Sequence, residues 1–236
     1  MMLEAILAEA NEGVNAIKLR VLLEHRSRIA TSSRCETFFP PVEIGSITLV
    51  DQIVLLALAE LIRPSKIIEI GTYMGFTTAL LALNVKNASI FTIDLPRDAE
   101  IAAWHFDEQK IRENDRDNDN FLRTMQHIEG EKYLQELTES DRRRISLIKK
   151  DSTQIDFRHE FGPSEFVFID GGHDLETIEK DTSNARAVVK RGVIIWHDYS
   201  SKIHGDVTAF LDAEKHRKMF HVLGSLCAFE LIGAGD

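Results

Sequence analysis

KIIEIGTYMGFTTALLA, Lys66 to Ala82, decides the fold: a short β-branched run, a bend holding Gly71 and Gly75, and a helical stretch that opens with Thr77 and Thr78. Strand, glycine bend and helix in that order aim the unpaired N–H groups of the helix's first turn at a ligand. Thr72, Tyr73 and Met74 separate the two glycines, so the G-x-G-x-x-G spacing of a dinucleotide site is absent. Glu69, just before the bend, would repel a pyrophosphate and suits a ligand that presents a cationic amine. The same pattern also serves a tight strand-to-helix turn that holds no ligand.

Upstream, LVDQIVLLALAELI (Leu49 to Ile62) is apolar on nearly every helical face and stops at Pro64, which predicts a buried helix feeding directly into the strand. Before it, Thr31 to Ser46 carries Pro40, Pro41 and Gly45 and reads as a loop. From Leu3 to about Ala30 the apolar positions Leu3, Ile6, Leu7, Val14, Ile17, Val21 and Leu22 predict two amphipathic helices with a break at Asn11 to Gly13. Downstream, apolar runs alternate with helical stretches: Ser89 to Ile93, Ile145 to Ile148, Phe166 to Ile169 and Val193 to Trp196. Such runs have no wet face, which predicts an α/β domain, a doubly wound and mostly parallel sheet with helices on both sides. Phe220 to Leu231, around Gly224 and Ser225, reads as a terminal antiparallel hairpin at the sheet edge. The division expected is N-terminal helices over residues 1–63, packed on a domain over 64–236. An inserted helical segment at about 95–144 is longer than a strand-to-helix connection needs and suits a lid or a partner surface.

With 38 acidic against 28 basic residues the formal charge is −10, so the chain as a whole repels phosphate backbones and anionic lipid. The Arg142, Arg143, Arg144 run is the one basic patch, and it reads as a solvated turn before a strand. Nucleic acid and membrane are therefore not expected partners. Cys35 and Cys227 have no CxxC or CxxH company, which argues against a disulfide framework or a zinc site and for a reducing compartment. Glu4 and Glu9 interrupt what would have to be an apolar signal core, so the expected location is the cytoplasm.

The strand ends hold the chemistry. FTIDLP puts Asp94 about twenty residues past the bend, where a carboxylate can accept both hydroxyls of a ribose. LIKKDSTQID brings Asp151 and Ser152 to the same sheet edge, as an adenine contact or as a helix cap. FVFIDGGHD ends a strand at Asp170, with His173 three residues on, and VIIWHDY ends the next at His197 and Asp198. Two carboxylates and an imidazole at neighbouring strand ends repel or desolvate one another unless a cation or substrate compensates, which is how a divalent-metal site is built. They also serve as strand caps. His105, His127, His159, His204, His216 and His221 lack such acidic strand-end company and read as surface or packing residues.

Four blocks in order, IEIGTYMG, FTIDLP, FVFIDGGHDLETIEKDTSNA and GVIIWHDY, followed by IHGDVTAFLDA, resemble the class I S-adenosylmethionine-dependent methyltransferases. Within that class the chain is similar to the small-molecule O-methyltransferases grouped as methyltransferase family 24, from about Leu49 to Leu231. Tyr73 replaces the middle glycine of the common ExGxGxG motif, as in catechol-type O-methyltransferases. The resemblance implies a Rossmann-like domain and S-adenosylmethionine as cofactor. Glu69, Gly71, Thr72, Tyr73 and Gly75 would lie at its methionine end, Asp94 at the ribose, and Asp151 with Ser152 at the adenine, with Asp170 beside the cofactor. Relatives that bind magnesium have acids matching Asp170, His197 and Asp198. The imidazole at the middle position favours manganese, iron or zinc over magnesium as the divalent metal. Some sugar O-methyltransferases use a histidine matching His173 as base, with Asp170 beside it; the other role open to His173 is orienting Asp170. The reaction implied is methylation of a hydroxyl on a small molecule, a sugar or other natural product, by a chain that could be a homo-oligomer. Two competing readings are a scaffold protein that keeps the nucleoside pocket without turnover, and an NAD(P)-dependent oxidoreductase, which the missing G-x-G-x-x-G disfavours.

Overall fold

The computed structural model describes residues 10–28, 34–38, 45–96, 122–126 and 131–233. Its centre is an eight-stranded sheet: β1 (Gly13–Lys18), β2 (Lys66–Ile70), β3 (Ser89–Asp94), β4 (Ile145–Lys149), β5 (Ser164–Ile169), β6 (Val189–Trp196), β7 (Lys218–Leu223) and β8 (Ala228–Ile232). The strand order is β1-β7-β8-β6-β5-β2-β3-β4, and only the pairs made by β8 are antiparallel. Among the described residues, five helices run for a full two turns or more: α1 (Leu19–Ser27), α2 (Leu49–Ile62), α3 (Phe76–Asn84), α4 (Leu175–Val188) and α5 (Gly205–Ala213). The doubly wound, mostly parallel α/β architecture expected from the apolar runs is the one observed.

Side chains of a strand alternate between faces, and the two cores follow that period. Ile67, Phe166, Phe168, Val193 and Ile195 pack with α2 and α3 on one face; Ile68, Ile70, Val167, Ile169, Ile194 and Trp196 pack with α4 and α5 on the other. Both faces being covered explains why β2, β5 and β6 are apolar at nearly every position. The edge strand β4 departs from that expectation: Leu147 is 40% exposed there, although its sequence resembles the central runs.

Register places the site. Ile70 lies opposite Ile93 and Ile169, and Ile169 lies opposite Trp196. The ladder then runs one step past the strands: Gly71 N donates to Ile93 O, Asp170 N to Ile70 O and His197 N to Ile169 O, at 2.8, 2.8 and 3.0 Å. Gly71, Asp170 and His197 are thereby set side by side at the carboxyl edge, at the point where the strand order reverses, where ligands of open α/β sheets bind.

Three local readings change. Gly13 to Lys18, expected to be helical, is a strand paired in parallel with β7. Its Val14 and Ile17 are spaced like a helix face, yet β7 offers an open row of amides and carbonyls, and the Asn15 amide donates to Met219 O. The C-terminal hairpin, β7 and β8, therefore sits inside the sheet with β1 beyond it. Residues 3–9 of the expected first helix lie outside the described residues. Arg144 is not a solvated turn residue: its guanidinium donates to Ala82 O, Val85 O and Ala88 O, closing the end of α3, and pairs with Asp141. Of the 95–144 insertion, the described parts include helical turns at 122–126, Lys132–Gln135 and Glu139–Arg142. Residues 97–121 and 127–130 of that expected segment lie outside the described residues.

α2 starts with a capping box. Thr48 Oγ1 accepts from Asp51 N, and the Asp51 carboxylate accepts from Thr48 N at 2.9 Å. Thr48→Ala is expected to lower stability by about 1 kcal/mol, read as a lower urea midpoint at unchanged slope.

Candidate active site

A cavity of about 1190 Å³ opens over this edge, and Gly71, Tyr73, Asp94, Asp151, Ser152, Asp170, His173, His197 and Asp198 all line it. Nine of the residues singled out from sequence are thus brought together. Glu69, Thr72 and Gly75 stand behind the wall. Gly75 (φ 81) begins α3 and is covered by the Leu134 side chain. Thr72 Oγ1 lies 2.6 Å from Thr92 Oγ1, and the Thr78 hydroxyl donates to Glu69, which is fully buried. Tyr73, in the place where the common motif has glycine, adopts φ 48, the left-handed region that glycine enters most readily.

Glu69 is a neutral acid in this setting. Burial pushes its carboxyl up to about 8, against hydrogen bonds from Thr78 and Thr92 that only partly offset it. The native state therefore holds a proton that the unfolded chain, at an ordinary value of 4.5, releases, and stability falls as pH rises from about 4.5 to about 8. Asp181, also raised by burial, to about 7, acts in the same direction. Glu69→Gln is expected to flatten much of that decline, so that its thermal midpoint at alkaline pH exceeds that of the unaltered protein. A decline of equal steepness in the variant would contradict this.

At the far end of the cavity Asp94 is already engaged. Leu95 N donates to its Oδ1 at 3.0 Å, Lys149 Nζ lies 3.1 Å from its Oδ2, and the Gln126 amide bridges that oxygen and Tyr73 O. Asp151 caps the Ser152–Gln154 turn, accepting from Thr153 N at 2.9 Å, so its capping role is real whatever it contacts in the cavity.

The acidic rim at the other end is organised around His197. Its Nδ1 lies 3.1 Å from Asp170 Oδ1 and 3.1 Å from Asp198 Oδ2, and its Nε2 lies 3.4 Å from Asp51 Oδ2. Burial opposes charge on this ring, yet the Asp170 and Asp198 carboxylates outweigh it and hold the imidazole well above its ordinary value. Burial likewise raises Asp198, but His197 and His173 hold it well below the carboxylate range. His173 Nε2 stands 3.1 Å from Asp198 Oδ2 and 4.0 Å from Asp170 Oδ1. Asp51, Asp170 and Asp198 thus converge on one imidazole, and buried acidic charge gathered in this way favours a cation.

Two members of this rim do not follow a strand end. Asp51 is completely buried at the start of α2, where it also accepts from Leu226 N at 2.7 Å. Thr48 and Asp51 carry the spacing of a capping pair, which was the available signal. His204, read as a surface or packing residue, is buried and stacks on His173, ring centroids 3.8 Å apart and planes 23° from parallel. It arrives on the loop that returns to α5, and nothing local announces it.

The sequence profile of a family described as a methyltransferase domain matches residues 68–199. Among curated proteins no relative matches. Among solved structures, the O-methyltransferase TomG from Streptomyces achromogenes, involved in tomaymycin synthesis and solved in complex with SAM, superposes with a TM-score of 0.53 at 14% identity, over 93% of this chain and 92% of that one. The O-methyltransferase NovP superposes with a TM-score of 0.53 at 10% identity, over 77% and 78%. At such identities these likenesses establish a shared fold.

Proposed function

Because the chain belongs to the methyltransferase domain family, we propose that it moves the methyl group of S-adenosylmethionine onto a hydroxyl of a small molecule, a sugar or other natural product. The observation that carries this reading is one cavity holding both ends of the reaction. The Gly71–Tyr73 bend and Asp94 line it, and so do Asp170, next to Gly71 at the sheet edge, His173 and Asp198. Asp94 would exchange its Gln126 and Lys149 contacts for ribose hydroxyls, and the acidic rim would attract the positively charged sulfonium.

The displacement forms an O–C bond as the S–C bond breaks, with its electron pair left on sulfur, so the protein's main task is to hold acceptor oxygen and methyl carbon in line at about 3 Å. The acceptor proton goes to His173. The imidazolium so formed is held by Asp198, 3.1 Å away, with Asp170 at 4.0 Å. Asp170, His197 and Asp198 fit a divalent ion: one donor atom from each lies within 4.8 Å of the others. With Nε2 facing Asp51, His197 turns Nδ1 to the two carboxylates, the arrangement that orients a metal-bound histidine. When bound there, such an ion would stabilise the developing alkoxide, and the imidazole donor favours manganese, iron or zinc over magnesium.

The test is thermal unfolding and calorimetry with S-adenosylhomocysteine, with NAD, and with S-adenosylhomocysteine plus EDTA. Stabilisation by the first compound and none by NAD is expected. Stabilisation by NAD alone would overturn the reading. Cytoplasmic location and self-association belong to the same proposal; no helix among the described residues is long and apolar enough to cross a membrane.

A further inference from the structure

We propose that His204 is a positioning residue for His173: its ring, laid flat on the His173 imidazole, holds that ring in the plane from which it takes the acceptor proton. The proposal rests on the reading of His173 as the base. The two ring centroids are 3.8 Å apart, with planes 23° from parallel, and both residues are buried. The N–H groups and lone pairs of an imidazole lie in its plane, so rings packed face to face do not hydrogen-bond to each other. What His204 offers is a surface. His173 needs one, because the torsion that turns a histidine ring about its Cβ–Cγ bond has only broad preferences. Asp198 Oδ2, 3.1 Å from Nε2, restrains one edge of the ring and leaves that rotation soft. A flat neighbour on the face opposes the rotation, and the contact takes up neither nitrogen.

One loop supplies both restraints. Asp198 and Ser200 adopt φ 60 and φ 65, left-handed for residues other than glycine, a conformation that persists where the surroundings over-determine it. The turn so made is tied down: Ser201 N donates to Asp198 O at 3.1 Å, and Ser201 Oγ accepts from Ile203 N at 3.2 Å and from His204 N at 3.3 Å. Ser200 N donates to Thr208 Oγ1 at 2.8 Å and Tyr199 Oη to Asp212 Oδ1 at 2.8 Å, which fastens the same loop to α5. Asp198 therefore meets the edge of the His173 ring while His204, later in the loop, meets its face.

His204 is also an unfavourable helix start. It occupies the position before α5 where serine, threonine, aspartate or asparagine would accept from the helix's free N–H groups, and its side chain makes no such bond. Local helix stability is given up there, and the ring is turned onto His173 instead.

The test pairs ring dynamics with kinetics in protein carrying ¹³C-labelled histidine. The His173 ring resonance is assigned with His173→Gln and its order parameter read from ¹³C relaxation; turnover is transfer of labelled methyl from S-adenosylmethionine to hydroxylated small molecules. The unaltered protein should show an ordered His173 ring. His204→Ala and His204→Asn should lower that order and cut turnover by about 10–100-fold at unchanged KM for S-adenosylmethionine. Asparagine is a preferred residue at a helix start, so it keeps the comparison open should the alanine variant fail to fold. His204→Phe, which restores a flat ring without nitrogens, should recover most of both losses. Ring order and turnover indifferent to residue 204 would overturn the proposal, as would a phenylalanine variant no better than the asparagine one. The two proposals part on the same samples. If no compound is methylated while ring order follows residue 204, the methyl-transfer reading fails and the clamp stands; if methyl passes at a rate indifferent to residue 204, the clamp alone fails.

Discussion

His173→Ala should lower the turnover number by about 10²–10⁴-fold, the usual contribution of a positioned general base, while leaving the affinity for S-adenosylhomocysteine unchanged. The reasoning is geometric. His173 Nε2 sits 3.1 Å from the Asp198 carboxylate, so a proton taken from the acceptor is stabilised by a neighbour that two imidazoles keep ionised against its burial. None of the cofactor contacts proposed for the glycine bend or Asp94 passes through this ring. The change should therefore fall on turnover and leave cofactor binding alone. The measurement is transfer of labelled methyl from S-adenosylmethionine to an acceptor found by screening hydroxylated small molecules, with calorimetry alongside. Full turnover in the variant would remove His173 from the chemistry, and parallel losses of turnover and cofactor affinity would make it a structural residue.

Gly71→Ala should be severely damaging for the addition of a single methyl group. Gly71 has φ 97, and a Cβ there would land on the carbonyl group of Asp170, far inside van der Waals contact with backbone that cannot retreat. That backbone is pinned, since Asp170 N donates to Ile70 O and Gly71 N to Ile93 O, both at 2.8 Å. Left-handed strain alone is worth about 1–3 kcal/mol, and the overlap adds to it, so a loss above about 3 kcal/mol is expected. For a chain of this size that corresponds to a fall in thermal midpoint of roughly 6–12 °C. An unchanged midpoint would show that the bend can relax. The result bears on function as well: β2 and β5 approach through this glycine, so its absent side chain is what lets Asp170 reach the rim at all.

The central sheet was legible because burial on both faces writes itself into composition. β2, β3, β5 and β6 are runs of β-branched and aromatic residues that no amphipathic helix would contain. β1 was not legible, because Val14, Ile17, Val21 and Leu22 continue one helical rhythm across Lys18, and the difference between strand and helix there is made by an edge of β7 about two hundred residues away. Asp170, His173, His197 and Asp198 could be found because residues that follow apolar strands collect at one end of a parallel sheet. Asp51 and His204 belong to the same rim without belonging to a strand end. A helix start and a returning loop deliver them, and only tertiary packing shows that they meet. Glu69 was identified as an acid at the bend, but its burial among Thr72, Thr78 and Thr92, and hence its neutrality, depends on which face of β2 it occupies.

The parallel union of β1 with β7 also bears on how the protein should be handled. A shortened form beginning at α1 would strip β7 of one of its two hydrogen-bonding neighbours and bare an edge strand holding Met219, Phe220 and Val222. Such an edge pairs with the same bared edge of another molecule, so the shortened form would assemble edge to edge and come out of solution.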